Sequence, residues 1–141
     1  MSADCIFCAI VDGEIPGNVV YEDEDVLAFL DANPLAKGHT LVIPKAHHET
    51  LGDLPGELGA AIGRVATELA PAVEAAVDAD GTTVAFNNGE AAGQEVPHVH
   101  CHVVPRFDGD GYGPIHALFG AGPELDDDEI ATIGDAIRDE Q

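Results

Sequence analysis

The stretch PHVHCHVVPR, residues 97–106, places His98, His100 and His102 at every second position. In a β-strand alternate side chains share a face, so the three imidazoles line up roughly 6.6 Å apart at about 3.3 Å of rise per residue. Val99, Cys101 and Val103 point the other way, into a core. Three titratable rings on one face have three readings: a metal site, a catalytic site, or accident. A His-x-His pair on a strand can grip one ion. Imidazole is also a good nucleophile toward phosphorus when a neighbour fixes its tautomer.

Working outward, NNGEAAGQEV (87–96) is a Gly-containing loop whose backbone N–H groups can cradle an anion. Alone it reads as an ordinary turn; beside a row of imidazoles it favours phosphoryl chemistry. TTVAFNN (82–88) reads as a strand, and so does HTLVIP (39–44), a β-branched run closed by a proline. VVYEDEDVLAFLD (19–31) reads as two short strands around an acidic turn. Between these lie Leu58, Ile62, Val65, Leu69, Val73 and Val77, whose steps of three and four make one face of a helix. Asp53 is placed to cap that helix and Pro71 to kink it. DDDEIATIGDAIRDEQ closes the chain as a second helix, with acids at its positive end and Arg138 at the other. Strands, helix, strands, helix predict an α+β fold with a five-stranded antiparallel sheet, one long helix and a C-terminal helix. At 141 residues the chain is one domain, with residues 109–141 expected as a tail packed on the body of residues 1–108.

The sequence carries 27 acidic residues against five Lys and Arg, a formal net charge of −22. Such a surface repels polyphosphate backbones and argues against nucleic acid as a partner. We read it as adaptation to molar salt, where the screening length falls to about 3 Å and self-repulsion largely vanishes. No run of apolar residues is long enough to span a membrane, and the start, MSADCIFCAIVDGEIPG, does not read as a signal peptide. A soluble, cytoplasmic protein is the expectation. Three cysteines make a poor disulfide framework. Cys5 and Cys8 form C-x2-C, which is half of a zinc site or simply two small core residues.

H-V-H-C-H-V-V (98–104) resembles the signature of the histidine triad family. The likeness extends from CIFCAIVDGEIPG, through FLDANPLAKGHTLVIPKAHH, to FNNGEAAGQEVPHVHCHVVPR, and so covers roughly residues 4–108 in order. It implies a nucleotidyl hydrolase or transferase acting on nucleoside 5′-phosphoramidates, dinucleoside polyphosphates and related conjugates, with a purine nucleotide as substrate. It also implies a homodimer whose two sheets join. Position by position, His100 matches the nucleophile, His102 the triad member beside the phosphate and leaving group, and His98 a supporting residue. His39 matches a further histidine that buttresses the site. Asn87 and Gln94 match contacts to the phosphate or leaving group, the Val96 N–H a phosphate donor, and Asp31 the acceptor of the ribose hydroxyls. Ile6, Phe7, Ile10 and Phe29 match the apolar walls around the base. Cys5, Cys8, His47 and His98 match a structural zinc set of microbial members. Glu95 departs from the pattern, standing where many members carry a small hydroxyl residue. Two alternatives stay open: a nucleotide-binding regulatory or interaction protein with little turnover, and a metal-dependent phosphoester hydrolase in which His98, His100 and His102 share one ion.

Overall fold

The apolar alternation becomes five strands: β1 (Val19–Glu22), β2 (Val26–Leu30), β3 (Thr40–Pro44), β4 (Gly81–Phe86) and β5 (Cys101–Arg106). They form one antiparallel sheet in the order β1-β2-β3-β5-β4. The computed structural model describes residues 4–141. Among these, three α-helices accompany the sheet: α1 (Ile6–Val11), α2 (Gly56–Val77) and α3 (Asp127–Asp139).

Each face of the sheet meets its own apolar cluster. Val26, Ala28, Val42, Cys101 and Val103 pack against Ile62, Val65, Ala66, Leu69 and Val73 of α2. Burying each large aliphatic chain there contributes roughly 1.5–3 kcal/mol. Leu27, Phe29, Leu41 and Ile43 point the opposite way and meet Cys5, Phe7 and Cys8, at and within α1. His102 stands opposite Leu41 on β3 and Ala85 on β4, between the α2-facing Cys101 and Val103. The pleat therefore aims its ring at the α1 side.

Two local expectations change. The strand at the histidines starts only at Cys101 rather than near residue 97. His98 and His100 lie on the extended approach to it, because the backbone there bonds elsewhere: the His98 N–H donates to the Val96 carbonyl (2.8 Å) and the Val99 N–H to that of His48 (2.8 Å). Asp53 does not cap α2. It closes a short 3-10 turn at Leu51–Asp53, accepting from the Thr50 N–H (3.1 Å) and hydroxyl (2.9 Å), and α2 starts after Pro55. Pro71 lies inside α2 without ending it.

The chain divides into two units, Met1–Asp110 and Gly111–Gln141. The second contains a 3-10 turn (Ile115–Leu118) and α3. Asp126 caps α3 by accepting from the Glu129 N–H (2.8 Å), and Glu129 reaches back to the Asp126 N–H (3.3 Å). The acidic first turn and Arg138 in the last turn follow the helix dipole.

Candidate active site and metal centre

Two histidine-containing clusters meet at His98. In the first, the Nδ1 atoms of His47 and His98 lie 3.2 Å apart. The Cys5 Sγ is 3.4 Å and the Cys8 Sγ 3.6 Å from His98 Nδ1, and Cys8 Sγ is 3.3 Å from His47 Nδ1. A tetrahedron with metal bonds of about 2.0–2.3 Å has edges of about 3.3–3.8 Å, so the four donor atoms already sit close to such an arrangement. The tautomer agrees. His98 Nε2 donates to the Pro44 carbonyl at 2.8 Å, which leaves Nδ1 with a lone pair facing the cysteines. Burial holds the His98 ring below the usual imidazole range, against the raising effect of the Pro44 bond. Two thiols and two imidazoles fit zinc, and all four are protein ligands, which is the pattern of a structural site. Cys5 also accepts from the Cys8 N–H (3.4 Å) as the N-cap of α1. Cys101 takes no part. It is buried in the α2-facing core, and burial pushes its thiol up to about 11.

The second cluster lines an open cleft of about 450 Å³. His100 Nδ1 donates to the His98 carbonyl at 2.7 Å. Its proton is therefore on Nδ1, and Nε2 keeps the lone pair. The Phe7 ring stands edge-on to His100 with centroids 5.0 Å apart. A second chain of bonds fixes the neighbouring rings. The Leu35 N–H donates to His39 Nδ1 at 3.0 Å, so a neutral His39 carries its proton on Nε2. That nitrogen is 2.9 Å from His102 Nδ1, which accepts, and the His102 proton is on Nε2. One nucleophilic nitrogen and one N–H donor result on adjacent rings, whose centroids are 4.9 Å apart.

Gly38 makes this placement possible. Its φ of +93 turns the chain into β3 at His39, and a Cβ there would come within 2.9 Å of Val77. Burial lowers the His39 pKa, the nearby Asp31 carboxylate opposing it and the His100 ring adding to it. His102 is held down to about 4, first by burial, then by His100 and His39. Asp31 lies 3.6 Å from His39 Nδ1, and its other oxygen accepts from the Asn33 N–H at 2.9 Å.

Asp31, Asn87, Val96, Ile6, Phe7, Ile10, Phe29, His39, His100 and His102 all line the cleft, as the resemblance implies. The His98 ring faces Cys5, Cys8 and His47 instead, and the residue touches the site through its carbonyl. Gln94 is not among the lining residues. Its Oε1 accepts from the Gly89 N–H (2.7 Å), and its Nε2 donates to the carbonyls of Glu49 (2.7 Å) and Val96 (3.0 Å). Its amide is thus spent on fixing the 87–96 loop rather than on a ligand. Sequence reasoning missed Asn18 and Leu41 in the cleft wall, and the backbone groups of Leu35, His98 and Pro44 that set the tautomers. Only Asn18 carried a residue-type signal.

The model of the HIT domain family matches residues 12–109. The chain belongs to the HIT family. Among HIT relatives, an uncharacterized HIT-like protein of Methanocaldococcus jannaschii is 50% identical over 127 residues, covering 89% of this chain and 95% of the other. The adenylylsulfatase HINT3 of Arabidopsis thaliana is 42% identical over 107 residues, 76% of this chain and 54% of that protein. Among solved structures, a Streptococcus mutans protein superposes with a TM-score of 0.90 at 41% identity, covering 99% of this chain and 87% of that one. A zinc-bound histidine triad family protein of Mycobacterium smegmatis does so with a TM-score of 0.75 at 40% identity, over 94% of this chain and 97% of its own.

Proposed function

We propose that this HIT protein transfers or hydrolyses the nucleotidyl group of nucleoside 5′-phosphoramidates, dinucleoside polyphosphates or related conjugates through a covalent nucleotidyl intermediate on His100. The observation that carries this reading is the bond from His100 Nδ1 to the His98 carbonyl, which leaves Nε2 as the free lone pair. His100 Nε2 attacks the α-phosphorus, and the bond from phosphorus to the leaving group breaks as the new N–P bond forms. The imidazolium that results keeps its Nδ1–H on the carbonyl, which stabilises the positive charge. His102 Nε2–H donates to a phosphoryl oxygen. The leaving group departs with a proton taken from solvent, which the water of the second step returns, while the His102 Nε2–H stays bonded to the phosphoryl oxygen. Water then cleaves the N–P bond, releasing the nucleoside monophosphate and the neutral His100. Asp31 accepts from the ribose hydroxyls, and Ile6, Phe7, Ile10 and Phe29 bracket a purine. The Arabidopsis relative, an adenylylsulfatase, supports an adenylyl conjugate as the substrate class.

Cys5, Cys8, His47 and His98 would hold a structural zinc, which ties α1 to the segment before β5. The zinc-bound Mycobacterium smegmatis neighbour and the donor spacing support this. Geometry disfavours a shared-ion hydrolase: both His98 nitrogens are turned to other partners, as is Nδ1 of His100. We also infer a homodimer, supported by the position of β4 at an open sheet edge, and a cytoplasmic setting of molar salt, supported by the acidic composition.

The test is release of AMP from adenosine 5′-phosphoramidate in molar KCl, with calorimetric binding of AMP alongside. His100→Asn is expected to abolish turnover while retaining binding, because the lost group is the attacking nitrogen. Turnover by neither protein, with binding intact, would favour the regulatory binder instead.

A further inference from the structure

The cleft carries an unusual charge balance. Among the described residues no lysine or arginine lines it, whereas Asp31 and Glu95 both do. Four of the five Lys and Arg are engaged elsewhere: Lys45 pairs with Glu22 (2.6 Å), Arg64 with Asp23 (3.5 Å), Arg106 with Asp110 (2.9 Å), and Arg138 with Asp135; the fifth, Lys37, is exposed on the segment between β2 and β3 and does not line the cleft. Burial disfavours the charged form of two of the lining imidazoles, His39 and His102. Asp31 has a task in the reading above, but Glu95 has none. It is exposed and sits on the loop that brings Gly93 and Val96 to the cleft. A polyphosphate leaving group would bring several negative charges into a space lined by two acidic residues. A leaving group bearing an ammonium would bring the opposite sign.

The geometry points to Glu95 as a specificity-determining residue that selects nucleotidyl conjugates with a cationic amine leaving group and rejects those with a polyphosphate leaving group. This rests on the nucleotidyl-transfer reading and narrows it. The selection is an electrostatic difference between substrates, so it acts on kcat/KM ratios. The chemistry balances as before: the P–N bond to the amine breaks, the amine leaves with one proton, and water supplies the oxygen of the released monophosphate.

The experiment compares three adenylyl substrates, with no divalent cation added beyond the zinc bound to the protein, on the wild type, Glu95→Gln and Glu95→Lys. The first is the phosphoramidate of a diamine, whose far amine is charged. The second is the unsubstituted phosphoramidate, and the third is diadenosine triphosphate. The wild type is expected to prefer them in that order. Glu95→Gln should narrow the kcat/KM ratio of first to third by roughly tenfold, the effect of one nearby charge at partial exposure, and Glu95→Lys should narrow it further. A ratio unchanged in both variants, with turnover present, overturns the inference. If none of the three substrates turns over, the functional reading fails separately. The charge rule is then read from binding of AMP and ADP. Glu95→Gln should strengthen ADP more than AMP, and an equal or absent gain overturns the rule.

Discussion

His98 belongs to two networks at once. Its Nδ1 faces Cys5, Cys8 and His47, while its carbonyl holds the Nδ1–H of His100. One residue thereby couples the Cys5–Cys8–His47 cluster to the tautomer of His100, the proposed nucleophile. The second relay, from the Leu35 N–H through His39 to His102, orders the other ring in the same way. These buried, neutral imidazoles set a pH dependence. His39 and His102 titrate below the ordinary value of 6.5 when folded, His102 at about 4, so the unfolded chain binds more protons in that interval. Stability is complete above about pH 6.5 and falls as pH drops toward 4, by up to about 1.4 kcal/mol per pH unit for each group. Denaturant titrations across this window in molar KCl, where carboxylate repulsion is screened, check the slope. A stability that stays flat or rises toward acid would contradict the neutral assignment.

At the scale of elements, α1 is the dependent one. Six residues make too short a helix to persist alone, so Ile6–Val11 is held by the burial of Phe7 and Cys8 and by the cluster at its first turn. Cys8→Ser is expected to lower zinc content and melting temperature together, and to weaken amide protection in residues 6–11 before the sheet is affected. Full metal content with unchanged protection would remove the cluster from this role. Sequence reading found the five strands and α2 because their periods of 2 and 3.6 are written in alternating side chains. It missed α1 because IFCAIV is apolar almost throughout and has neither period. It began β5 too early because residue type alone does not reveal that the Val99 N–H bonds to His48 rather than to a neighbouring strand. The same limit applies to the site. Imidazoles and thiols are rare enough to be singled out, whereas the carbonyls of Pro44 and His98 carry no signature. Gln94 was legible as a polar residue near the site, but its grip on Glu49, distant in sequence, appears only in the fold.

For the whole molecule, charge is the dominant quantity. With 27 acidic residues and five Lys and Arg, few carboxylates find a cation, and self-repulsion opposes the folded state wherever screening is weak. The screening length is about 30 Å at 0.01 M salt and about 3 Å at 1 M. Melting temperature should therefore climb steeply as KCl is raised from dilute to molar, which differential scanning calorimetry measures directly. A melting temperature indifferent to KCl would refute the saline adaptation. The catalytic proposal is separable from this, because its key contacts are short and buried. Its most direct test is the stereochemical course at phosphorus, followed with an adenosine 5′-phosphoramidate made chiral at phosphorus by sulfur and hydrolysed in heavy-oxygen water. Two successive displacements, onto His100 and then onto water, predict net retention of configuration. Net inversion would mean that water attacks in a single step and that His100 never carries the nucleotide.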